Sequence, residues 1–186
     1  MFENLRRDIT KYEDDGRWYT NPGFWIVAIF RFGNWADALP NQFLRIPMWV
    51  TYRLLKLPFR GYNVQLWAGR KGPHIGAGLK LIHPTNVMIG REVEIGEDCL
   101  IFHDVTLGTG LVPGYPKIGN NVDIYPGARL LGGITIGDRS MVGANCVVTR
   151  DVPPESIILA APSPVIPRAL SPIARGSVSV APAPLK

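Results

Sequence analysis

Two of the three histidines stand at equivalent places in a repeating pattern, and their side chains are suited to taking up a proton. His83 and His103 are each the third residue of a six-residue unit. A neutral imidazole accepts a proton near neutral pH because its ordinary pKa is about 6.5. The chemistry that this pair could perform is therefore general-base catalysis, such as proton abstraction from a hydroxyl group.

The six-residue repeat predicts the element that positions these histidines. Glycine often follows the repeated aliphatic residue, and small or β-branched residues fill most fifth places. A period of six fits neither a helix nor a simple alternating strand, but it suits short strands joined by tight turns. Three units would make one triangular coil, and each coil would bury its aliphatic face only against its neighbours. The aliphatic positions are Ile89, Ile95, Ile101, Leu107, Ile118, Ile124, Leu130, Ile136, Val142 and Val148. Ile75 and Leu81 extend the register upstream, with two extra residues before Ile89.

The repeat also predicts where the two histidines lie. Their units begin at Leu81 and Ile101, three units apart, so we expect both imidazoles on one face of adjacent coils, roughly 5 Å apart. Asp104 is a nearby carboxylate that could orient an imidazole, and Glu92 is another. The alternative for both histidines is a solvated or subunit-interface position. His74 precedes the regular repeats and is interpreted as a surface residue.

Both cysteines occupy fifth places of repeat units. We therefore expect Cys99 and Cys146 to be reduced and buried in the core, with no disulfide and no metal site. The segment TGLVPGYPK adds five residues between Leu107 and Ile118, and this excursion contains Tyr115. We interpret this excursion as the wall of the site for a substrate that carries the hydroxyl group.

Residues 1–66 differ from the repeats, because aromatic and basic residues cluster there. We expect two or three helices in this segment, broken at Pro22, Pro40 and Pro58. It contains no uninterrupted apolar run of the roughly 20 residues that a membrane-spanning helix needs. Packing against the repeats or a neighbouring subunit explains its aromatic content, and peripheral membrane contact is the alternative. The expected domains are a helical segment at 1–66, a repeat domain at 67–168 and a flexible tail at 169–186.

Composition and charge bound the possible partners. Hydrophobic residues make up 46% and charged residues 19% of the 186 residues, which is typical of a globular protein. The net charge of +5 would suit an anionic ligand, a nucleic acid or an acidic membrane surface. Nucleic-acid binding is not expected, because the cations form no continuous stripe. The first residues contain no apolar signal region, so we expect a cytoplasmic protein, at the inner face of the membrane if the helical segment contacts lipid.

The segments LIHPTNVMIG, CLIFHDVTLGTG and GARLLGGITIGDRSMVGANCVVTRDVPP resemble the hexapeptide-repeat acyltransferases, in particular serine acetyltransferases and the acetyltransferases of polysaccharide biosynthesis. The resemblance covers about residues 70–168. It implies an all-β domain built as a left-handed parallel β-helix, homotrimers with active sites between subunits, and acetyl-CoA as co-substrate without a metal. His83 matches the catalytic histidine. The matched acetyl-CoA positions are Gly108, Thr109, Pro126, Gly143 and Ala144, and Arg150 and Arg168 are candidates for its phosphates.

Three positions depart from the serine acetyltransferase pattern, and they change which molecule we expect to receive the acetyl group. Ungapped alignment places Ala68 and Ile82 where those enzymes carry aspartates, and Tyr115 where they carry a second active-site histidine. We therefore expect O-acetylation of a sugar or polysaccharide precursor, with serine as the alternative acceptor. A second alternative is a non-catalytic β-helix scaffold or a metal-dependent anhydrase-like protein, which would need three ligands such as histidines.

Overall fold

The computed structural model describes residues 2–13 and 16–161, which form three helices followed by a three-sided parallel β-helix. The expected tail at 169–186 lies outside the described residues, as does Arg168. Within the described ranges, no helix is both long and apolar enough to cross a membrane.

The second and third helices begin at asparagine caps. The helices are α1 (Phe2–Glu13), α2 (Pro22–Ala38) and α3 (Gln42–Leu55), and a 3₁₀ helix follows at Leu57–Tyr62. The side-chain oxygen of Asn21 accepts a hydrogen bond from the Gly23 N–H at 2.9 Å, and that of Asn41 accepts one from the Phe43 N–H at 2.9 Å. These contacts satisfy N–H groups that have no partner inside the first helical turn.

In the described part of the chain, thirteen short strands wind into a left-handed parallel β-helix with three sheets. The first sheet has the order β1-β4-β7-β10, the second β13-β11-β8-β5-β2 and the third β12-β9-β6-β3. The strands are β1 (His74–Ile75), β2 (Lys80–Leu81), β3 (Met88–Ile89), β4 (Glu94–Ile95), β5 (Leu100–Ile101), β6 (Thr106–Gly108), β7 (Lys117–Ile118), β8 (Asp123–Ile124), β9 (Arg129–Leu131), β10 (Thr135–Ile136), β11 (Met141–Val142), β12 (Val147–Val148) and β13 (Ile157–Ile158).

The interior of the β-helix contains the repeated aliphatic residues, as the period predicts. Every aliphatic position from Ile89 to Val148 is at most 4% exposed. The fifth places are buried too, and they include both cysteines, which are free thiols. Burial raises the pKa of the Cys99 thiol to about 11, so this side chain is a packing residue and not a nucleophile.

Side chains from α1 and α2 cover the open edge of the first coil. Strands β1 and β2 end their sheets, so their outer backbone groups have no neighbouring strand. The Tyr12 hydroxyl accepts a hydrogen bond from the Leu81 N–H at 2.7 Å. The Arg31 guanidinium donates to the Ile75 carbonyl at 2.6 Å and to the Gly76 carbonyl at 2.5 Å. The helical segment therefore satisfies polar groups that would otherwise be buried without partners.

A buried ion pair holds this contact together. Asp8 is 0% and Arg31 5% exposed, and Arg31 Nε donates to Asp8 Oδ2 at 2.9 Å. Asp8 Oδ1 also accepts from the backbone N–H groups of Gly78 at 2.8 Å and Leu79 at 3.1 Å. One carboxylate thus joins α1, α2 and the turn between β1 and β2.

Replacement of the buried carboxylate tests this role. We expect Asp8→Asn to lower the free energy of unfolding by about 3–5 kcal/mol, because it leaves the buried Arg31 charge uncompensated. Urea denaturation monitored by circular dichroism measures the change. The control is Glu155→Gln, which breaks the exposed ion pair with Arg139 and should have little effect. Equal stability of Asp8→Asn and the wild type would contradict this account.

Candidate active site

His103 and Asp104 form a hydrogen-bonded pair at one corner of the prism. This histidine corner comprises the turns that lead from the second sheet to the third, at residues 82–87, 102–105, 125–128 and 143–146. His103 Nδ1 lies 2.9 Å from Asp104 Oδ2, and the side chains are 37% and 49% exposed. Because the carboxylate accepts a hydrogen bond from Nδ1–H, the other ring nitrogen, Nε2, is left to act as a base.

A column of side-chain amides supports the Asp104 carboxylate. Asn86 Nδ2 donates to Asp104 Oδ1 at 3.0 Å, and Asn63 Nδ2 donates to Asn86 Oδ1 at 3.0 Å. The three residues have φ angles of 52°, 53° and 57° in chain order. Asparagine and aspartate adopt this left-handed conformation more readily than most other residues. The backbone geometry of the corner therefore favours the side chains that orient His103.

These contacts stabilise the charged form of Asp104. The hydrogen bond with His103, followed by that with Asn86, lowers the pKa of the Asp104 carboxyl below its ordinary value. The positive charge of Arg129 acts in the same direction. Asp104 therefore remains ionised at neutral pH beside the imidazole.

His83 lies at the same corner on the preceding coil, but in a longer turn. Leu81 pairs with Ile101, whereas the Asp104 N–H donates to the carbonyl of Thr85. Two extra residues thus separate β2 from β3, and Thr85 takes the coil position next to His103. His83 is exposed with a φ of 48°. The expectation of directly stacked imidazoles assumed turns of equal length, and the structure corrects that assumption.

A pocket of about 690 Å³ opens at the histidine corner. It includes four of the predicted site residues: His103, Asp104, Pro126 and Ala144. It also contains residues that the sequence analysis missed, namely Asn86, Thr106, Gly127, Arg129, Asn145 and Val147. Arg129 Nη1 donates to the Thr106 hydroxyl at 3.2 Å. The repeat could have identified Arg129, because this residue begins β9 and directly follows the turn at 125–128 of the histidine corner.

Other predicted residues lie at a different corner of the same chain. This excursion corner comprises the turns from the third sheet to the first, at residues 67–73, 90–93, 109–116, 132–134 and 149–151. Thr109, Tyr115 and Arg150 lie here, and Gly108 ends the strand that precedes it. A Cβ added at Gly90 would lie 2.5 Å from the Tyr115 ring, so tyrosine packs directly on this glycine. One face of the prism separates these residues from His103.

The remaining predicted positions are also placed by the structure. Gly143 directly follows β11 in the second sheet and is buried, and Ile82 follows β2 in the same sheet. Ala68 packs against Gly33 of α2 at the excursion corner, so an aspartate there would not face His83 from within the same chain. His74 lies on β1 in the first sheet, on another face of the prism. No group of three potential metal-ligating side chains occurs among the described residues.

Comparisons with known proteins agree with this architecture. The family described as "Bacterial transferase hexapeptide (six repeats)" matches residues 115–150. A serine acetyltransferase of Mycobacterium tuberculosis is 45% identical over 98 residues, covering 51% of this chain and 43% of the relative. One from Synechococcus elongatus is 35% identical over 150 residues, covering 79% of this chain and 58% of the relative.

Solved structures show the same likeness. The Neisseria gonorrhoeae serine acetyltransferase in complex with serine superposes with a TM-score of 0.67 at 26% identity, covering 86% of this chain and 66% of that one. The chain is a hexapeptide-repeat protein that resembles the serine acetyltransferases. A serine acetyltransferase in complex with CoA gives a TM-score of 0.66 at 25% identity, covering 88% of this chain and 68% of that one.

These relatives correct the expected acceptor. The prediction of a sugar or polysaccharide hydroxyl is wrong, because the sequence relatives and the structural neighbours are serine acetyltransferases. The chain spans about half the length of the curated relatives it matches, 43% of one and 58% of another.

The coupling between His103 and Asp104 is testable by titration. We expect His103→Ala to raise the pKa of the Asp104 carboxyl towards its ordinary value, because the hydrogen bond that stabilises the ionised form is lost. NMR of carboxyl-labelled aspartate across a pH series measures it. Asn86→Ala should give a smaller rise, and Arg139→Gln, at a different corner, none. An unchanged Asp104 pKa in His103→Ala would show that the pair is not coupled.

Proposed function

We propose that this protein is an acetyl-CoA-dependent O-acetyltransferase that acts on the hydroxyl group of serine. The observation that carries the proposal is the likeness to serine acetyltransferases across the β-helix, combined with an oriented histidine in a pocket of that β-helix. Two of the residues that differ from those enzymes, Ala68 and Tyr115, lie at the excursion corner, so serine would be held by other side chains.

The pocket offers charges of both signs for the two ends of an amino acid. Asp104 carries a negative charge that suits the ammonium group of serine. Arg129 lines the same pocket, and its planar guanidinium suits the carboxylate because it can donate two parallel hydrogen bonds. This pair would bind both charged ends of serine without the aspartates that Ala68 and Ile82 replace. We therefore assign the acceptor site to the histidine corner.

Proton transfer is assigned to the oriented histidine. His103 Nε2 takes the proton from the serine hydroxyl while the oxygen attacks the thioester carbonyl. The new bond joins the serine oxygen to the acetyl carbon, the bond between that carbon and sulfur breaks, and the proton on His103 passes to the departing thiolate. Asp104 holds the imidazole in the required tautomer throughout and stabilises its charged form. His83 lies at the same corner on the preceding coil but does not line the pocket, so its role in the reaction rests on the resemblance, which identifies it as catalytic.

Acetyl-CoA would be held along the later coils. The matched positions Gly108, Thr109, Pro126, Gly143 and Ala144 have small or short side chains, which lets a ligand approach the backbone closely. Arg150 is exposed and suits a phosphate group of CoA. When bound, acetyl-CoA supplies the activated acetyl group.

We further propose a homotrimer with its active sites between subunits. Support comes from the separation of the predicted site into two corners of one chain. If the excursion corner of one subunit meets the histidine corner of the next, Tyr115, Gly108 and Thr109 of one chain would face His103 of its neighbour. Tyr115 would then contact the acceptor. The proposed reaction takes place in the cytoplasm.

Release of CoA from acetyl-CoA in the presence of L-serine tests the function. We expect serine-dependent thiol release by the wild type, and a fall in kcat of about 10²–10⁴-fold in His103→Ala and in His83→Ala, because the base or its partner is lost. His74→Ala, on another face, is the matched control and should retain activity. A wild-type protein that releases no thiol with serine would refute the proposed reaction.

Recognition of the serine carboxylate by Arg129 is tested separately. We expect Arg129→Gln to raise KM for serine about ten-fold or more while kcat changes little, because the lost contact is made equally in substrate and transition state. Activity with ethanolamine, which has no carboxylate, should be unaffected, and Arg129→Lys should recover part of the affinity. Equal losses with both acceptors would assign Arg129 a purely structural role.

A further inference from the structure

The third helix presents apolar side chains at the centre of its solvent-facing side. Phe43 is 80%, Val50 50% and Leu54 58% exposed. These residues, with Pro47, recur at intervals of four, three and four positions and so form one stripe along the helix. The opposite side of the helix packs inward through Tyr52, which is buried. Most of the surface of the stripe is therefore left uncovered by the rest of the described chain.

Further exposed apolar residues widen the stripe. Ile46 is 60% exposed beside it, and Leu57 is 51% exposed in the 3₁₀ helix that follows. We call the surface formed by Phe43, Ile46, Val50, Leu54 and Leu57 the α3 face. A contiguous apolar surface of this kind on a soluble chain marks a site of interaction.

The charge around the α3 face has one sign. Residues 38–91 contain eight Lys and Arg residues and no Asp or Glu. Arg53 and Arg60 are exposed next to the apolar stripe, and Lys56 is half-buried between them. A basic surface rich in apolar side chains is complementary to a layer of anionic headgroups over hydrocarbon.

A groove adjoins the α3 face and brings the same cations together. It encloses about 780 Å³ between α2, α3 and the segment 64–68. Its walls include the apolar side chains of Ile29 and Phe59 and the cationic side chains of Arg53, Lys56 and Arg60. The groove thus offers an apolar slot with several cationic groups among its walls, which suits a phosphate headgroup attached to an acyl chain.

We propose that the α3 face and its groove dock the protein on the surface of a bilayer that contains anionic phospholipid. The helix would lie in the plane of the interface, with its stripe among the acyl chains and its cations at the phosphates. Symmetric contact with a second copy is disfavoured, because it would bring the basic residues of two α3 faces together without an acidic partner. The proposal is independent of the acceptor, since it concerns a different part of the molecule.

Binding of the purified 186-residue chain to vesicles tests the docking. The probes are large vesicles of phosphatidylcholine alone and of phosphatidylcholine mixed with phosphatidylglycerol, sedimented at low and at high salt. We expect binding to the mixed vesicles only, and weaker binding at high salt, because screening reduces the attraction between exposed charges.

Two variants separate the apolar and the ionic contributions. Phe43→Gln/Val50→Gln/Leu54→Gln should lower the partition coefficient at least about ten-fold through loss of buried apolar area, and Arg53→Gln/Arg60→Gln should lower it by a similar factor. Lys117→Gln/Arg139→Gln is the matched control, since it removes the same net charge from the far coils of the β-helix and should bind like the wild type.

Measurements of mass and activity complete the test. Each variant should keep the wild-type oligomeric state by light scattering and the wild-type rate of thiol release without vesicles. Equal binding to both kinds of vesicle, or none, would overturn the proposal. A change of oligomeric state in the triple variant would instead assign the α3 face to contact between copies of this chain.

Discussion

The inward aliphatic side chain at every sixth position is the constraint on which the rest of the structure depends. It fixes the length of each side of the prism, because a residue added to a strand would turn the next aliphatic side chain outward. Insertions are therefore confined to the corners. The two turns that are longest at these corners, 82–87 and 109–116, contain His83 and Tyr115. Turns can therefore vary in length and sequence without disturbing the buried aliphatic residues that maintain the fold.

The period of six allowed much of the fold to be predicted. It placed Cys99 and Cys146 in the core and His83 and His103 at one corner, since both inferences need only a count along the chain. The count failed where the turns differ in length. Pro84 and Thr85 lengthen one turn, and a register taken from the preceding strand does not reveal that Thr85 lies next to His103.

Other features depend on contacts that a sequence pattern does not encode. Asp8 and Arg31 are 23 positions apart in different helices, and nothing local indicates that they meet in the interior. Arg129 is 25 positions from Asp104 in the chain, and the two lie together only because the coils stack at this corner. The ungapped alignment placed Ala68 where serine acetyltransferases carry an aspartate, and this disfavoured serine as the acceptor. The structure places Ala68 beside α2, away from the histidine corner. The repeat determines the scaffold, while the lining of the pocket depends on a few outward side chains.

The cover over the first coil affects how the chain behaves towards its own copies. An unpaired edge of a parallel β-helix presents a row of free N–H and C=O groups, which is a template for the addition of strands from another molecule. Tyr12, Asp8 and Arg31 occupy these groups with side chains that cannot extend a sheet. The helical segment therefore acts as a terminal cap that protects this end of the repeat domain from edge-to-edge aggregation.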